Sequence, residues 1–149
     1  DAQIGGRQVR DILEEIGLSG IERLIEFEKC ETVAIVGASP KPDRYSNRAQ
    51  AMLMERGYSV VPVSPNGLEV LGVPGYSRLG AFEGEVDTVT LYVGPSRQPE
   101  IVEDLLEVAP GRVIFNPGTE SPQSENALRE AGIETEGACT LVLLQTERF

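Results

Sequence analysis

The run Thr32-Val33-Ala34-Ile35-Val36, followed at once by Gly37-Ala38-Ser39 and then by a helical pattern ending at Gly57, constrains the fold most strongly. An unbroken run of β-branched and small apolar residues suits a strand covered on both faces, as in a parallel sheet. Ala49, Met52, Leu53 and Arg56 recur at helical spacing, with the Arg56 stem able to cover the edge of the apolar stripe. Gly57 stands where a left-handed helix cap is expected. Strand, small-residue turn and helix make the first half of a βαβ unit. In open α/β sheets, ligands bind outside the carboxyl ends of the strands, where this turn lies.

The turn departs from the dinucleotide fingerprint G-x-G-x-x-G. Only Gly37 is a glycine, and the loop that follows carries Pro40, Lys41, Pro42, Asp43 and Arg44. The second strand, Ser59-Val60-Val61-Pro62-Val63, ends in Ser64-Pro65-Asn66. NAD binding would call for a carboxylate there to hold the ribose. Two features of an NAD site are thus missing together, which favours a different phosphate-bearing ligand. An NAD(P)-dependent oxidoreductase is the weaker alternative. A structural or regulatory partner protein with a vestigial nucleotide pocket is a third reading.

The 149 residues suit one domain, with a helical extension over 1–29 and a core over 30–149. Ile4 to Glu28 reads as two helices. Val9, Ile12, Leu13 and Ile16 stripe the first, and Ile21, Leu24, Ile25 and Phe27 stripe the second behind a Ser19 cap. They read as a lid on the sheet edge or a surface for a partner subunit, so a homodimer stays open. From Asn66 to Gly84 the chain is glycine-rich turn, with Val70–Val73 as a short strand and Ser77 capping a helix through Phe82. The next strand spans Val86–Val93 and breaks at Gly94-Pro95. Ser96 is the expected cap of a helix bearing Ile101, Val102, Leu105 and Leu106. Arg112–Phe115 is a strand, and Ser121 with Pro122 starts a helix stopped by Gly132. Ile133–Gly137 is an edge strand, and Thr140 is the expected cap of a last helix. The fold class is therefore α/β, a Rossmann-like doubly wound, mainly parallel five-stranded sheet in the order 3-2-1-4-5. That order sets its switch point beside Gly37 and Gly94. Glu85 and Asp87 precede their strand at the far end and are expected to be solvated.

A net charge of −11 argues against nucleic acid or an anionic membrane as partner. A small anion is still served by helix N-termini and by Lys41, Arg44 and Arg97. No run of about 18 apolar residues and no apolar signal core occur, so the chain reads as cytoplasmic. Cys30 and Cys139 are unclustered and read as free and buried. There is no histidine, which removes imidazole catalysis, imidazole metal ligation and any phosphohistidine relay. No catalytic residue or metal-ligand set stands out, and the reading leans away from an enzyme.

The segments VGASPKPDR, GYSVVPVSP, GVPGYSRLGAF, VDTVTLYVGPS and IFNPG, in that order, resemble the small CoA-binding Rossmann proteins. The same fold forms the CoA-binding domain of the succinyl-CoA synthetase α-subunit and of ADP-forming acyl-CoA synthetases. The resemblance runs from about Glu31 to Cys139. It implies coenzyme A or an acyl-CoA bound across the carboxyl ends of the strands. By that likeness Gly37, Ala38, Ser39, Pro40, Lys41 and Arg44 hold the phosphates. Val63, Ser64 and Pro65 line the adenosine side, Tyr92, Val93, Gly94 and Pro95 flank the nucleotide, and Asn116 and Gly118 lie towards the pantetheine. Ser64 replaces the asparagine usual in the family, and Asn116-Pro117-Gly118 stands where many relatives have Gln-x-Gly. The ligase relatives use a phosphorylated histidine on a further domain. This sequence has no histidine, so that activity does not transfer.

Overall fold

The computed structural model describes residues 31–149, which form one compact unit, Glu31–Phe149. The expected N-terminal helices and Cys30 lie outside the described residues. Five parallel strands run β1 (Thr32–Val36), β2 (Ser59–Val63), β3 (Thr88–Leu91), β4 (Arg112–Phe115) and β5 (Glu134–Gly137). The helices between and after them are α1 (Tyr45–Glu55), α2 (Pro99–Val108), α3 (Pro122–Glu130) and α4 (Thr140–Gln145).

Alternation along the strands divides the core in two. Ala34 and Val36 join Val61, Val63, Val89, Leu91, Val113 and Phe115 on one face, against Leu105 of α2 and Leu128 of α3. Val33 and Ile35 face the other way, towards Leu53 of α1 and Leu144 of α4. Covering both faces is what lets β1 be apolar throughout. β5 is a polar edge strand, ETEG, and charge on such an edge discourages pairing with another chain.

The strand order is 2-1-3-4-5, which corrects the expected 3-2-1-4-5. The segment Val70–Val73 does not extend. Leu71 and Gly72 both have positive φ, 52° and 80°, so Val70 and Val73 bridge each other across a tight turn. Among the described residues, the only further pairing beyond β2 is a single bridge, Val63 to Tyr76. The switch point still lies where β1 and β3 part, beside Gly37 and Gly94.

Three expected caps give way to other arrangements. Arg78, not Ser77, precedes the short 3-10 turn Leu79–Ala81. A 3-10 turn, Pro95–Arg97, takes up Ser96, so α2 starts later, behind Gln98. Thr140 is inside α4, behind Cys139, and its buried hydroxyl bonds that of Thr90 at 2.7 Å. Ser121 does cap α3, its Oγ accepting from Ser124 N at 3.2 Å. Asp87 is exposed but engaged, because its Oδ2 accepts from the Thr32 N–H at 2.8 Å and anchors the start of β1. Among the described residues no helix is long and apolar enough to cross a membrane.

Candidate functional site

The carboxyl ends of β1, β2 and β3 open onto a cavity of about 490 Å³. Val36 and Gly37 form its floor, and Val63, Ser64 and Pro65 form one wall. Val93, Ser96 and Arg97 also line it, with the first turn of α2, Pro99 to Ile101. Ser77, Arg78 and Leu79 close the third side.

Gly37 is required by geometry. Its φ is +98°, and a Cβ placed on it would lie 3.0 Å from Tyr92 Cβ and 3.1 Å from the Tyr92 carbonyl carbon. The turn after it is held to β2, with the Gly37 and Ala38 N–H groups both donating to Val63 O, at 2.9 and 3.0 Å. Ser39 Oγ accepts from Lys41 N at 3.2 Å, and the buried Asn47 Nδ2 donates to Ser39 O at 2.9 Å. Arg44 precedes α1, whose first turn has no side-chain cap and no acidic residue. The N–H groups of such a turn face outward unpaired, the arrangement that receives anions.

The cations of the cavity differ in their company. Arg78 pairs with Asp104, Nη2 to Oδ1 at 2.5 Å and Nε to Oδ2 at 3.3 Å. The Arg78 hydrogen bond lowers the Asp104 carboxyl below its usual range against the opposing effect of burial, and the Arg78 guanidinium is raised in return. Arg97 makes no ion pair among the described residues. The turn carrying it is braced from beneath by Gln98, which is fully buried. Gln98 Nε2 donates to Val93 O at 2.8 Å and to Thr119 O at 2.7 Å, and its Oε1 accepts from Ser124 Oγ at 2.7 Å.

A second cavity, about 360 Å³, lies over the other face of the sheet. Tyr45 and Arg48 of α1, Tyr92, Asn116 and Pro117, and Cys139, Leu141, Val142 and Gln145 surround it. Asn116 belongs to a closed network. Its Nδ2 donates to Thr90 Oγ1 at 2.7 Å and to Leu91 O at 2.9 Å, while its Oδ1 accepts from Thr140 N at 2.9 Å. Burial raises the Tyr92 phenol above its ordinary range, and hydrogen bonding with Thr90 and Thr140 opposes that rise. Cys139 is a free thiol, half-buried on this wall, where the sequence reading placed it in the core.

Of the residues expected from sequence, Gly37, Val63, Ser64, Pro65 and Val93 meet at the first cavity, and Tyr92 and Asn116 at the second. Ala38, Ser39, Pro40, Lys41, Arg44, Gly94, Pro95 and Gly118 line neither. Ser77, Arg78, Ser96, Glu100 and Ile101 were missed. The last three follow the Gly94-Pro95 break, so the rule that selects Gly37 would have reached them. Ser77 and Arg78 sit in a glycine-rich stretch with no periodicity to signal its path.

Residues 31–145 match the CoA binding domain. The chain belongs to this CoA-binding family. The chain is similar to the uncharacterized protein YneT of Bacillus subtilis, 29% identical over 106 residues, covering 71% of this chain and 78% of YneT. A crystallised uncharacterized protein is 41% identical, with a TM-score of 0.75 and coverage of 80% of this chain and 98% of that one. The dinucleotide-forming acetyl-coenzyme A synthetase 1 of Ca. Korarchaeum cryptofilum shares the fold at 17% identity and a TM-score of 0.62, over 70% of this chain and 25% of the synthetase.

Proposed function

We propose that this protein binds coenzyme A or an acyl-CoA at the carboxyl edge of its sheet without catalysing a reaction. The observation that carries the reading is the cavity at the β1–β3 switch point of a CoA-binding domain, with Gly37 at its floor. The adenosine lies against Val63, Ser64 and Pro65. Because Val63 O engages the Gly37 and Ala38 N–H groups, the phosphates fall to Arg97, Arg78 and the uncapped first turn of α1. Arg97 is the stronger candidate, since Arg78 is shared with Asp104. β2 leads into Ser64, not a carboxylate, which supports CoA over NAD. No histidine is present to serve as acid, base or phosphoryl carrier.

Thermal denaturation with CoA, NAD, NADP and ATP side by side tests this. CoA at a hundredfold excess over its dissociation constant should stabilise the fold by roughly 2.7 kcal/mol. Ser96→Trp, a change at an exposed cavity residue, should abolish that stabilisation while leaving the unliganded melting temperature near the parent's. Arg97→Ala should weaken binding by roughly tenfold, the size of one hydrogen bond to a charged group. A melting curve unmoved by millimolar CoA, or moved only by NAD(P), would overturn the proposal.

A further inference from the structure

The second cavity is chemically unlike the first. The first gathers two arginines, the carboxylate of Glu100 and the serines Ser64, Ser77 and Ser96, a charged and polar lining. In the second the only formally charged side chain among the described residues is Arg48, whose guanidinium stands 5.5 Å from the Tyr45 ring centroid. The amide of Asn116 is taken up by Thr90, Leu91 and Thr140, so this residue offers the cavity no unpaired polar group. Leu141, Val142, Pro117 and the Tyr92 ring supply apolar surface. Tyr45 and Val142, both on its wall, are 66% and 51% exposed, so part of this apolar surface is in contact with solvent.

The two cavities share a partition. Gly37 lines the first and Tyr92 the second, and the two residues touch closely enough to exclude a Cβ at position 37. A ligand whose nucleotide occupies the first cavity and whose flexible arm crosses this partition delivers its far end to the second. In CoA that far end is the sulfur.

We infer that the second cavity receives the acyl group of an aliphatic CoA thioester, so that the ligand is an acyl-CoA in preference to free CoA. The inference rests on the CoA reading above. A bare thiol would leave the apolar walls in water, whereas an alkyl chain removes them from it. No bond is made or broken in this binding.

Calorimetric titration of the full chain with CoA, acetyl-CoA, butyryl-CoA and hexanoyl-CoA tests it. Each methylene that becomes buried should tighten binding by roughly fourfold until the cavity is full. Val142→Trp narrows the cavity at a solvent-exposed helix position and should bring hexanoyl-CoA back towards the affinity of CoA. Val142→Glu should do the same by placing a charge beside the chain, and serves if the tryptophan variant fails to fold. Ser96→Trp, in the other cavity, should abolish the binding of every member of the series alike. A flat series on a protein that still binds CoA overturns the acyl inference and leaves the CoA reading standing. Absence of any CoA binding overturns both. A rising series that survives both Val142 substitutions overturns the placement of the acyl group.

Discussion

At the scale of single residues, two glycines with similar backbone angles are under different constraints. Gly37 and Gly57 have φ of +98° and +90°. Around Gly57 a Cβ would meet nothing within 4 Å, whereas at Gly37 it would strike Tyr92. Gly57→Ala therefore incurs only the cost of the left-handed conformation, about 1 kcal/mol. Gly37→Ala adds a clash with backbone that cannot swing away, and should cost about 2–4 kcal/mol. Urea denaturation of both variants checks this, with the midpoint falling further for position 37. Equal losses at the two sites would mean that Tyr92 yields freely, and that the partition between the cavities is soft. Sequence reading placed both glycines correctly, because a strand-end turn and a helix stop each leave a local signature. It could not rank them, because Tyr92 is brought to Gly37 only by strand pairing.

At the scale of elements, buried polar side chains join strands and helices that the hydrophobic pattern places but does not lock. Asn116 links β3, β4 and α4, and its three bonds reach Thr90, Leu91 and Thr140. Asn116→Ala should cost about 3 kcal/mol, because it leaves the buried Thr140 N–H without an acceptor and opens the network around the Thr90 hydroxyl. The exposed neighbour change Pro117→Ala should leave stability within about 0.5 kcal/mol of the parent. Chemical denaturation with an unchanged slope separates a local loss from a looser native state. A loss under about 1 kcal/mol for Asn116→Ala would show that the link is dispensable. The same contrast explains what the sequence disclosed. The bounds of β1, β2 and β4, Thr32–Val36, Ser59–Val63 and Arg112–Phe115, follow from apolar runs between breakers and needed no tertiary information. The roles of Gln98 and Asn116 depend on partners more than 20 residues away, so nothing nearby announces them. Thr140 looked like a cap for the same reason: its hydroxyl is claimed by Thr90, which no local rule brings near.

At the scale of the whole molecule, an acidic protein is assigned an anionic ligand, and distance reconciles the two. The net charge of −11 belongs to the entire chain, whereas Arg78 and Arg97 stand on the cavity wall itself. Screening acts on these two fields unequally. At about 10 mM salt the Debye length is roughly 30 Å, so an approaching ligand meets the repulsion of the whole surface. At about 150 mM it is roughly 8 Å, and the ligand responds mainly to the charges beside the cavity. The association rate of CoA should therefore rise between those two salt concentrations, the reverse of steering by an oppositely charged protein. Stopped-flow binding at constant temperature across that range measures it. The dissociation rate should change less, because short contacts to Arg97 are made within the screening distance. A rate that falls steadily with salt would mean that the local cations already dominate at long range, so that the cavity focuses its own field against the protein's net charge.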